Sequence, residues 1–77
     1  MEDREYIINE ARIVYKYSIK DEYKIGDKKK LYSAMLKIIT GTINCDIGGI
    51  EYLLISKEEI KNIIKYVVEE EEREAMA

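Results

Sequence analysis

Lys28, Lys29 and Lys30 stand in a row just after Asp27, a residue able to cap a helix. Three cations in the first turn of a helix oppose its dipole, at about 0.3–1 kcal/mol each when exposed. A helix selected for stability alone favours acids at that end. The run therefore points to contact with phosphate or an acidic partner, against the simpler account of a solvated helix start. The other reactive groups do not form a site. Cys45 is the only cysteine, and a chain without histidine offers it no base to make a thiolate. Its alternation with Asn44 and Asp46 predicts an inward-facing filler. The carboxylates lack metal-ligand spacing, and there is no glycine-rich phosphate loop. Tyr6, Tyr15, Tyr17, Tyr23, Tyr32, Tyr52 and Tyr66 could stack on bases. In a chain without Phe or Trp they are needed instead at the core boundary, ring inward and hydroxyl wet. No enzyme activity, metal or cofactor is expected.

The elements that would position the lysines follow from periodicity. Ile7, Ile8, Ala11, Val14 and Tyr15 recur at three and four and predict a helix from about Asp3 to Tyr17. Alternation from Ile13 to Ile19 offers a strand over Arg12 to Lys20 as the alternative. Asp21 to Gly26 reads as a turn, with room for one helical turn. Asp27 then caps a second helix, over about residues 28–40, with Leu31, Ala34, Met35, Ile38 and Ile39 on its apolar face and Gly41 as its stop. Ile43 and Cys45 alternate with polar neighbours, Gly48-Gly49 supplies positive φ angles, and Ile50 to Ile55 returns as a second strand. Together these predict a β-hairpin over residues 42–55. Ser56 and Glu59 form a capping box that opens a third long helix, whose apolar stripe is Ile60, Ile63, Ile64, Val67 and Val68. Beyond Val68 the pattern gives way to Glu69 to Glu72. These four acids wind around the helix and sit badly near its C-terminus, so residues 69–77 are expected to fray.

Composition bounds the rest. Seventy-seven residues make one small domain, 1–77, too small to be comfortably stable alone and without a disulfide to help. Oligomerisation is the remaining common device. A homodimer is expected, with Ile7, Ile8, Tyr15, Ile60, Ile64 and Val67 at its interface. The content of 47% hydrophobic and 38% charged residues favours a folded domain over a disordered one. Abundant Ile, Lys, Glu and Tyr without Gln fits a thermophile, archaeal or viral. No apolar run is long enough for a transmembrane span, so a cytoplasmic location is expected, with no membrane partner. The net charge of −3 divides into +2 over residues 1–45 and −5 over residues 46–77, a mildly basic half followed by an acidic one.

Segment 26–56 resembles the recognition helix and wing of winged helix-turn-helix regulators of the MarR or PadR kind. Gly26 stands where such proteins turn into the recognition helix. Leu31, Tyr32 and Met35 occupy helix positions that pack inward there. Gly41-Thr42-Ile43 resembles the entry into the wing, Gly48-Gly49 the wing tip, and Tyr52 to Ser56 the strand into the next helix. The resemblance implies an α+β fold in the order α-α-β-β-α. It also implies a DNA-binding transcriptional regulator whose helix enters the major groove of double-stranded DNA. Lys28, Lys29, Lys30, Tyr32 and Ser33 would then face DNA, with Lys24 and Lys37 as flanking phosphate contacts. The pattern departs from the family at Asp21 and Glu22, where apolar packing is expected, and in a wing that carries Asp46 and lacks Lys and Arg. The alternative is a protein-interaction module, a small viral or plasmid inhibitor or adaptor, acting through its hairpin edge or its acidic last helix.

Overall fold

Every long apolar repeat in the chain becomes helix in the computed structural model, which describes residues 3–76. Helix α1 spans Asp3–Ile13 and continues as a π-helical turn over Val14–Ser18. A short α2 covers Asp21–Ile25, α3 runs over Lys28–Asp46, and α4 over Lys57–Met76. A 3₁₀ turn at Ile50–Tyr52 lies between the last two. No strand occurs among the described residues.

The local signals at the helix starts work as expected. The Asp27 carboxylate accepts from the Lys29 amide at 2.9 Å, and Ser56 Oγ accepts from the Glu59 amide at 3.1 Å. Each satisfies one donor that the helix itself leaves free. Helix α1 forms where its repeat predicts, and the strand over Arg12 to Lys20 does not. Its buried positions are Ile7, Ala11, Val14 and then Ile19. The last spacing is five, the step of the π turn that intervenes. That wider turn lets the β-branched, tyrosine-rich stretch place Ile19 in the core without becoming a strand.

The expected winged helix, an α+β chain in the order α-α-β-β-α, is overturned. Gly41 does not end the second long helix. Leu31, Met35, Ile39 and Ile43 recur at a spacing of four straight across it, and all four are fully buried. A glycine in a helix interior costs roughly 0.5–1 kcal/mol relative to alanine. Burying one isoleucine side chain contributes about 1.5–3 kcal/mol, so the helix gains by continuing. It ends at Asp46, five residues later. The amides of Ile47 and Gly48 both donate to the Ile43 carbonyl, at 2.9 and 3.1 Å. Gly48 takes φ +107°, a backbone region open to glycine and strained for other residues. The Gly48 turn thus exists, but it closes a helix where a hairpin was expected. Residues 53–55 keep a remnant of the predicted alternation: Leu53 and Ile55 are buried, while Leu54 between them is 97% exposed. The segment is a bend, extended at Leu53, with no strand beside it.

Three long helices form the bundle. Arg12 meets Glu70 and Lys16 meets Glu71 at one end, and the Leu54 amide donates to the Asp3 carboxylate at the other. Helices α1 and α4 therefore run parallel, and α3 runs antiparallel to both. The stripe Ile60, Ile63, Ile64, Val67 and Val68 is buried against α1 and α3 of the same chain. The stripe expected at a homodimer interface is therefore covered within one chain and does not itself call for a second. The thermophile expectation has no structural counterpart. The ion pairs among the described residues are separate two-residue contacts, not the networks that high temperature favours.

Candidate interaction face

Residues on a helix advance by about 100° each, so α3 has a definable outer face. Leu31, Met35 and Ile39 define the inner face. Lys30, Ser33 and Lys37 fall opposite, and Lys29 falls on the edge nearest α4. Tyr32 and Leu36 flank the core stripe on that same edge, half-buried. Across the seam, α4 presents Lys61, Ile64 and Lys65. These residues from two antiparallel helices line an open groove of about 270 Å³: Lys29, Tyr32, Ser33 and Leu36 from α3, and Lys61, Ile64 and Lys65 from α4. Leu36 and the Tyr32 ring supply apolar surface above a floor set by the buried Ile64, and the three lysines supply charge.

The seven residues singled out as DNA contacts do not share one surface. Lys29, Tyr32 and Ser33 line the groove. Lys30 is exposed on the outer face. Lys37 lines a separate depression with Lys20, Tyr23 and Ala34, on the α2 side of the helix. Lys24 pairs with Asp21 at 3.6 Å and stands 4.7 Å over the Tyr15 ring. Lys28 pairs with Glu72. No wing stands beside any of them, so the docking geometry of a winged helix is not available to these side chains.

The acidic segment is also placed differently from expectation. Glu70, Glu71 and Glu72 meet Arg12, Lys16 and Lys28 respectively. Three consecutive acids point around a helix, and here they reach α1 and α3 on either side. The helix continues to Met76, and the expected fraying end is helical through that residue. The cost of acids near a helix C-terminus is offset by these three cations. Three cations of the mildly basic half thus pair with acids of the acidic half within the chain.

Two tyrosines fasten the bundle. The Tyr6 hydroxyl donates to the Asp46 carboxylate at 3.3 Å, tying the start of α1 to the end of α3. Burial, then the charges of Asp46 and Glu10, push its phenol above the ordinary value. Burial, then Glu71 and Asp21, do the same for Tyr15. Tyr6, Tyr15 and Tyr32 pack against the core as expected of boundary residues. Tyr17, Tyr23, Tyr52 and Tyr66 are exposed. Cys45, expected to face inward, is exposed on α3. The helical course through residues 41–46 removes the alternation that would have buried it.

Of the expected dimer residues, Ile7, Ile60, Ile64 and Val67 are buried within the chain, and Ile8 and Tyr15 are half-buried. The residues not anticipated are Leu36, Lys61 and Lys65. Their signal is in the sequence. Tyr32 and Leu36 are four apart, Lys61 and Lys65 are four apart, and each pair borders an apolar stripe. Among the described residues there is no group of three or more Cys, Asp or Glu placed to hold a metal ion. No described helix is long and apolar enough to cross a membrane. No protein-family model, curated protein or solved structure matches this chain.

Proposed function

We propose that this chain is a small helical interaction module that docks a protein partner on its α3–α4 face and performs no catalysis. The observation that carries the proposal is the groove lined by Tyr32, Leu36 and Ile64 and rimmed by lysines. Grooves between two helices accept the apolar face of a further helix, an arrangement that continues ordinary bundle packing. The hairpin edge once considered as the docking element is absent. The acidic end of α4 is engaged with Arg12, Lys16 and Lys28. The groove combines apolar lining with three lysines that have no carboxylate partner among the described residues.

A photo-crosslinking residue at Ser33, which lines the groove and is exposed, tests the proposal. The control is the same residue at Asn62, exposed on α4 and not a lining residue. Adducts to protein at position 33, absent at position 62 and lost when Leu36 is replaced by Glu, are the expected result. Adducts to nucleic acid at position 33, or equal adducts at both positions, would overturn it.

A further inference from the structure

We infer that the occupant of the α3–α4 groove is a short acidic amphipathic helix of a partner protein, an inference that rests on the docking function proposed above. Charge complementarity carries it. Arg12, Lys16, Lys24 and Lys28 each have a carboxylate partner within the chain. Nine other cations have none among the described residues; six of them, Arg4, Lys20, Lys30, Lys37, Lys57 and Arg73, lie elsewhere, and three, Lys29, Lys61 and Lys65, meet at the groove. A chain of net charge −3 therefore concentrates three unmatched cations around one apolar cleft.

The chain itself supplies a pattern for the missing contact. At the neighbouring position along the same seam, α4 sets Glu72 against Lys28 of α3. The groove offers three more lysines, Lys29 on α3 and Lys61 and Lys65 on α4, exposed and without a carboxylate partner among the described residues. The groove spans from Lys29 to Leu36 on α3, seven residues, or about 10 Å at the helical rise. That length suits two turns of a docked helix. Its apolar anchors would sit at i and i+3 or i+4 over the half-buried Tyr32 and Leu36, and Glu or Asp would flank them on both sides. Nucleic acid fits the lysines but leaves the apolar lining unused. A second copy of this chain would bring an acidic end whose glutamates at 70, 71 and 72 are already paired, leaving Glu69 and Glu74 alone to meet the three lysines.

The test uses the full chain, labelled for amide NMR, and synthetic helical peptides of roughly 11 residues, about three turns. One peptide carries leucines at i and i+4 flanked by glutamates. A second has lysines in place of the glutamates, and a third has serines in place of the leucines. The acidic peptide should shift the amides of Tyr32, Leu36, Lys61 and Ile64, and the other two should bind at least about tenfold more weakly. The protein variant K29E/K61E/K65E changes only exposed side chains and should keep the fold. It should lose about tenfold in affinity for the acidic peptide, as three exposed ion pairs allow, and gain affinity for the basic one. Equal binding of acidic and basic peptides would overturn the inference. So would shifts mapping elsewhere, tighter binding of a DNA duplex at the same amides, or the same shifts on concentrating the protein alone. Crosslinks from Ser33 to a protein, together with equal peptide binding, would leave the docking function standing and remove only its acidic partner.

Discussion

Replacing Gly41 with Ala separates a continuous α3 from a helix that stops at its glycine. Gly41 lies inside α3, is exposed, and has negative φ; a methyl group placed on it meets nothing within 4 Å. Alanine should therefore cost no steric energy and should remove the excess conformational freedom of glycine in the unfolded chain. The expected gain is roughly 0.5–1 kcal/mol. For a domain of this size each 1 kcal/mol moves the melting temperature by about 4–8 °C, so a rise of about 2–8 °C is expected. Gly48→Ala gives the opposite sign. At φ +107° the added Cβ costs about 1–2 kcal/mol. Thermal unfolding followed by circular dichroism, for wild type and both variants, reads the pair. A Gly41→Ala protein that melts below wild type would refute the reasoning, because it would place Gly41 at a turn requiring glycine.

Three further expectations follow from the core, the cap and the tyrosines. Ile39→Ala, at a fully buried position, should cost about 2–5 kcal/mol and bring so small a domain close to unfolding; urea titration measures it, and a loss below 1 kcal/mol would contradict the packing. Ser56→Ala removes the bond to the Glu59 amide and should cost about 1 kcal/mol, with Ser56→Asn restoring most of it. The phenols of Tyr6 and Tyr15 are held above their ordinary value of 10.0, so the folded state binds their protons more tightly than the unfolded state. Their contribution is fully present below pH 10 and falls as the pH rises through the folded-state values. Melts from neutral to strongly alkaline pH should show a loss above about pH 10 that is smaller in Tyr6→Phe; an identical loss would remove Tyr6 from the account.

The sequence made several elements legible because their signals are local. Asp27 and Ser56 announce helix starts through side chains that bond amides two and three residues on. The stripe from Ile60 to Val68 has enough turns to be unambiguous. Around Gly41 two local signals conflicted. Glycine and the brief alternation of Ile43 and Cys45 suggested a stop and a strand. The spacing of four from Leu31 to Ile43 suggested continuation, and the burial of Ile43 decides for the second. Gly48 takes the positive φ that its residue type suggests, but a turn residue does not say whether it joins two strands or two helices. The groove was the least legible feature. Leu36 on α3 and Lys61 and Lys65 on α4 are some 25 residues apart in sequence, and only the antiparallel packing of the two helices brings them to one cleft.

The course of the backbone between Thr40 and Ser56 bears most directly on all of this, because both the loss of the wing and the seam between α3 and α4 depend on it. Backbone chemical shifts and sequential amide–amide contacts for the labelled protein report that course residue by residue. Helical values unbroken from Lys28 through Gly41 to Asp46, with no cross-strand contacts between residues 42–46 and residues 50–55, are the predicted result. Extended values at residues 42–46 paired with residues 50–55 would restore the hairpin and contradict the account.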